Sequence, residues 1–79
     1  MRVRSQDKLI LVDNPTVFID IYYTNHNGLY HNSLCALKNK EEVWILGQYK
    51  TKERCIEILD LIQSYADNQA VRTFIMPEE

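Results

Sequence analysis

The 79-residue sequence holds only two glycines, two prolines and two cysteines. So few glycines and prolines exclude collagen-like and low-complexity linker chains. Two cysteines, Cys35 and Cys55, are too few for a disulfide scaffold, which points to reduced thiols and an intracellular setting. An excess of positive charge is also missing. Nine basic residues stand against eleven acidic ones, a formal charge of -2, and they are mixed along the chain. Nucleic-acid binders concentrate base on one face, so this balance argues against them. No apolar run approaches the roughly 18 residues of a membrane span, and MRVRSQDK has no signal-peptide core. A cytoplasmic protein is expected, with no membrane partner.

What is present is 46% hydrophobic and 25% charged residues, the composition of an ordinary globular domain near the lower size limit for one core. A single α+β domain over residues 1–79 is expected. Met1 to Arg4 alternates apolar and basic residues, Ser5-Gln6-Asp7 is turn-like, and Lys8 to Val12 is a second short run, so the two predict a tight hairpin. Asp13-Asn14-Pro15 breaks the pattern. Thr16 to Tyr23 is the densest β-branched and aromatic stretch, with Val17, Ile19, Ile21 and Tyr23 on one face and Phe18, Asp20 and Tyr22 on the other. Asp20 marks that second face as partly wet. Asn27-Gly28 is a hairpin turn signal, because both residues accept positive φ. Leu29 to Leu37 returns with Tyr30, Asn32, Leu34 and Ala36 on one face, and Glu42 to Tyr49 follows, with Val43, Ile45 and Gly47 opposite Trp44 and Leu46. Gly47 within a strand predicts a bulge or a close helix crossing.

Thr51 is placed as the N-cap of the one strong helix, with Glu53 in its first turn. Cys55, Ile58, Leu59, Ile62 and Ala66 recur at helical spacing, widened by Leu61 and Tyr65, while Glu53, Glu57, Asp60, Ser64 and Asp67 trace the other side. Val71 to Met76 reads as a closing strand. These elements predict a two-layer fold: an antiparallel meander sheet of four to six strands, covered by one amphipathic helix and completed by the C-terminal strand.

The segments Leu46-Gly47-Gln48-Tyr49-Lys50-Thr51-Lys52-Glu53-Arg54 and Ile58-Leu59-Asp60-Leu61-Ile62-Gln63 resemble a pattern in short uncharacterised proteins of Firmicutes and their phages. The ends, Met1-Arg2-Val3-Arg4-Ser5-Gln6-Asp7 and Met76-Pro77-Glu78-Glu79, are similar to theirs and read as those of a complete small gene product. The resemblance covers about half of the chain and leaves Asn25 to Lys40 unmatched. Those proteins more often carry a small residue such as Ala where Cys55 stands. The resemblance implies a phage, prophage or mobile-element accessory protein and carries no activity with it.

His26, His31, Cys35 and Cys55 can be written as four zinc ligands, but their spacing fits no Cys/His motif. Cys55 lies near a helix start beside Lys52 and Arg54, which can activate a thiol, yet its place in the apolar stripe makes it a core residue. Asp20 has no second acid placed beside it for acid–base work. Phosphate loops, G-x-S-x-G and H-E-x-x-H are absent. No catalytic residue, metal or cofactor is therefore expected. Aromatic residues crowd the strands, and Tyr22, Tyr30, His31 and Trp44 are the expected interaction surface. The sequence thus reads as a small non-enzymatic protein-interaction protein, binding a partner protein or itself as a homodimer through an open sheet face, an edge strand or the hairpin. The alternative is a small-ligand or nucleotide binder whose pocket is lined from Asn25 to Ser33.

Overall fold

A computed structural model describes residues 1–24, 29–68 and 70–79; for residues 21–24 and 29–31 it describes the backbone alone. The chain is α+β, and its strands form two three-stranded sheets in place of one sheet of four to six. The first sheet joins β1 (Arg2–Arg4), β2 (Leu11–Asp13) and β6 (Thr73–Ile75) in the order β2-β1-β6. β1 runs antiparallel to β2 and parallel to β6. The second is an antiparallel meander of β3 (Val17–Thr24), β4 (Leu29–Leu37) and β5 (Val43–Tyr49). Helix α1 (Lys52–Ala66) packs on the meander.

The meander hairpins and the helix follow the hydrophobic pattern. The split of the sheet does not, and the ladder shows its cause. β5 offers its outer edge to the segment after β1, and Gln6 engages it. Its backbone N–H donates to the Leu46 carbonyl at 2.7 Å, and its side-chain amide takes over from there. The Ser5–Ile10 turn then carries the chain away, with Ser5 N–H bonded to the Ile10 carbonyl and Lys8 at a φ of 70°. The hairpin is thus wider than the sequence suggests. Asn14 takes a φ of 44°, which an Asn side chain tolerates, and the chain turns at Pro15 into β3.

One core receives side chains from both sheets and the helix. Val3, Phe74 and Met76 come from the first sheet or the residue after it; Leu34, Ala36, Leu46 and Tyr49 from the meander; Cys55, Ile58 and Ile62 from the helix. The helical stripe is narrower than its spacing predicts, since Leu61, Tyr65 and Ala66 are exposed. Tyr65 still reaches the small sheet, meeting Phe74 edge to face at 5.2 Å. Thr51 is the N-cap: its hydroxyl accepts the Arg54 N–H at 3.0 Å. Asp67 closes the other end, its backbone N–H donating to the Gln63 carbonyl at 3.1 Å and that of Asn68 to the Tyr65 carbonyl at 3.0 Å.

Candidate interaction surface

The register of the meander sorts its side chains into two faces. Val17, Ile19, Asn32, Leu34 and Ala36 face the helix. Phe18, Asp20, Ser33, Cys35 and Leu37 point the other way. On β5 the alternation is interrupted. Leu34 pairs with Gly47 and Cys35 with Ile45, so Leu46 is the extra residue of a β-bulge. Past this shift, Trp44, Gly47 and Tyr49 share the helix side, and Val43, Ile45 and Gln48 share the open side. The grouping of Val43, Ile45 and Gly47 on one face is thereby corrected: Gly47 lies across the bulge from the other two. Its lack of a side chain makes room for the Tyr49 ring, since a Cβ there would lie 2.7 Å from the Tyr49 hydroxyl. The glycine therefore marks both a bulge and a close approach, and what approaches is a tyrosine rather than the helix.

The open face consists of cross-strand rows. Leu37 pairs with Val43; Phe18, Cys35 and Ile45 form the next row; Asp20, Ser33 and Gln48 form the third. Leu37, Val43 and Ile45 are 52%, 43% and 47% exposed, and Phe18 is half-buried. Between them Cys35 and Ser33 in the central strand are buried. Burial, with a smaller contribution from the Asp20 carboxylate, pushes the Cys35 thiol up and keeps it protonated. The Ser33 hydroxyl has no hydrogen-bond partner among the described residues. Apolar residues thus gather at one end of the face and polar ones at the other.

Of the four residues expected at an interface, Trp44 lies on the helix-covered side, packed against the core, with the Lys38 ammonium 4.5 Å from its ring centroid. The side chains of Tyr22, Tyr30 and His31 lie outside the described residues, as do His26, the Asn27-Gly28 turn and most of the Asn25–Ser33 stretch. Cys35 and Cys55 are on opposite sides of the meander, one on the open face and one under the helix. Burial raises the Cys55 thiol as well.

A scan of protein-family models found no match, and searches of curated proteins and of solved structures also found none. The surface must be read from its own chemistry.

Sequence reasoning missed Phe18, Leu37, Val43 and Ile45 as a group because the bulge decides which of them share a face. The pointer to it was Gly47. A second feature was read only as a turn. The Gln6 amide accepts from the Gln48 N–H at 3.0 Å and donates to the Gln48 carbonyl at 3.2 Å and the Glu78 carbonyl at 2.7 Å. Tyr49 donates to the Pro77 carbonyl at 2.7 Å, and Arg54 donates twice to the Glu79 carbonyl, at 3.0 and 2.8 Å. Three side chains from separate elements thus hold three consecutive carbonyls. Beside this strap is a cleft of about 600 Å³ lined by Gln48, Tyr49, Lys50, Arg54, Glu57 and the tail glutamates. Arg54 also pairs with Glu57 at 3.1 Å. No described helix is long and apolar enough to cross a membrane.

Proposed function

We propose that this chain is a small non-enzymatic interaction protein that docks a partner protein on the open face of the meander, centred on Leu37, Val43 and Ile45. The observation that carries the reading is a cluster of half-exposed aliphatic side chains that share one face of the meander, away from the helix. Apolar surface of this kind, rimmed by polar residues such as Asp20 and Gln48, is the usual makeup of a protein contact. Covering what remains exposed of three aliphatic side chains supplies roughly 2–4 kcal/mol, a useful core for an interface but not a whole one. A role in a phage, prophage or other mobile element is proposed on the resemblance of the Leu46–Arg54 and Ile58–Gln63 segments.

The test is site-specific photocrosslinking in a Firmicute lysate, with the reactive group at position 45 or, as a control, at Glu57 on the outer helix face. An adduct formed only from position 45, and competed by the unlabelled protein but not by its Ile45→Glu variant, is the expected result. Equal labelling from both positions, or equal competition by the variant, refutes the reading.

The second reading, a small-ligand or nucleotide site, has one observation behind it, the cleft beside the strap. Its chemistry suits a phosphate poorly. Glu57, Glu78 and Glu79 outnumber Lys50 and Arg54 there, and Arg54 already holds Glu57 and the Glu79 carbonyl. A thermal-shift screen with nucleotides is expected to give no stabilisation.

A further inference from the structure

The strand edges of the molecule are not treated alike. The edges of the first sheet are β2 and β6, each only three residues long. Along β5, Gln6 occupies the carbonyl of Leu46 and both backbone groups of Gln48. β3 is different. It is eight residues long and forms the other edge of the meander, with no strand paired on its outer side among the described residues.

Which of its backbone groups point outward follows from one bond. The Leu37 N–H donates to the Thr16 carbonyl, so Thr16 and Leu37 are a hydrogen-bonded pair. In an antiparallel ladder such pairs alternate, which aims the N–H and C=O groups of Phe18, Asp20, Tyr22 and Thr24 at β4. Those of Val17, Ile19, Ile21 and Tyr23 point away from it. Among the described residues, nothing hydrogen-bonds the outer groups of Val17 and Ile19. Proteins commonly protect a long edge with several charges, a proline or a covering segment. Here Asp20 is the single charge in the strand, and Val17, Phe18 and Ile19 beside it are apolar and half-buried.

We propose that the β3 edge pairs antiparallel with the β3 edge of a second copy, joining two meanders into one continuous six-stranded sheet. The proposal rests on the reading of the chain as an interaction protein, and it adds self-association through a surface distinct from the open face. A second copy fits this edge because an antiparallel two-fold contact is self-complementary: each copy supplies the donors and acceptors that the other needs.

The register follows from Asp20. A two-fold axis through residue 20 sets the two carboxylates directly opposite, at the close spacing of a non-hydrogen-bonded pair, where like charges repel. An axis through Ile19 avoids this but pairs only residues 17–21 within the strand. An axis through Ile21 also avoids it and pairs residues 18–24. The outward groups then match in three hydrogen-bonded pairs: Ile19 with the partner's Tyr23, Ile21 with the partner's Ile21, and Tyr23 with the partner's Ile19.

Sedimentation equilibrium and amide exchange by NMR on the intact chain test this together. The expected mass is twice that of the chain at high concentration, falling on dilution. The amides of Ile19, Ile21 and Tyr23 exchange at least about tenfold faster on dilution, while those of Phe18 and Asp20 do not change. Ile19→Pro, which removes an outward N–H and none that bonds β4, is expected to give the single-chain mass at all concentrations. A single-chain mass for the unaltered protein up to millimolar concentration overturns the proposal, as does a dimer whose Ile19 and Ile21 amides exchange freely. A dimer abolished by Ile45→Glu but not by Ile19→Pro overturns edge pairing and leaves the open-face reading standing with the chain as its own partner. The wild-type exchange measurement decides the matter even if the proline variant does not fold.

Discussion

Replacing Tyr49 by Phe removes one hydroxyl and nothing else, and the position of that hydroxyl makes the consequence calculable. The ring is 7% exposed and the hydroxyl donates to the Pro77 carbonyl at 2.7 Å. Losing this bond and leaving the carbonyl short of a donor costs about 1 kcal/mol near neutral pH. For a chain of this size, that lowers Tm by about 4–8 °C. Burial, with a smaller push from Cys55 and a partial offset from Arg54, raises the phenol from its ordinary value to about 12. Between pH 10 and pH 12 the unfolded chain therefore gives up the Tyr49 proton while the folded chain keeps it. Stability contributed by the neutral phenol is complete below pH 10 and falls as pH rises through this window, by about 2–3 kcal/mol in all. The Phe variant has no such loss. It should be the less stable protein at pH 7 to 9, equal to the wild type near pH 11 and the more stable above it. The buried thiols of Cys35 and Cys55 also weaken the fold at alkaline pH, but they do so in both proteins and cancel in the difference. Urea unfolding followed by Trp44 fluorescence at a series of pH values measures the comparison. A constant deficit in the Phe variant from pH 8 to pH 11.5 would refute the reasoning, because it would show that the fold does not hold the phenol neutral above its ordinary range.

Two further substitutions test the same region and the helix. Gly47→Ala sets a Cβ 2.7 Å from the Tyr49 hydroxyl and 2.9 Å from the ring, and that ring is pinned at its far end. A loss of about 1–3 kcal/mol is expected in chemical denaturation, shrinking when Tyr49 is also replaced by Leu. Thr51→Ala removes the acceptor for the Arg54 N–H at the helix start, and the expected cost is about 1 kcal/mol in thermal unfolding, recovered by Thr51→Ser.

The elements that were legible in the sequence are those whose apolar period is long enough to register. Seven β-branched and aromatic residues out of eight declare β3, and the Cys55, Ile58, Ile62 spacing with Thr51 before it declares α1. The sheet partition was not legible, because it turns on strands of three residues and on the side chain of Gln6, neither of which leaves a periodic trace. The open face was legible in half. Strict alternation placed Phe18 with Asp20 on one face of β3 and Leu34 with Ala36 on one face of β4, and both groupings hold. On β5 one inserted residue changes the parity, and Trp44, whose size and chemistry suggested an interface, packs on the covered side instead. Gly47 signalled the irregularity without saying which way the neighbouring side chains would turn. The tail strap was illegible for another reason: its acceptors are backbone carbonyls, which carry no residue identity.

The parallel pairing of β1 with β6 has a consequence for the order in which the molecule assembles. Val3 pairs with Phe74, nearly the full length of the chain away, whereas the two hairpin connections of the meander and the crossing of α1 onto it are local. Short closures cost less entropy and form faster than long ones. The meander and helix can therefore collect before β6 docks beside β1, leaving Val3 without Phe74 and the helix with part of its stripe uncovered. During that interval the small sheet is incomplete, and the chain displays the β3 edge and the unfinished core at once. The vulnerable moment for this protein lies between the closing of the meander and the docking of β6.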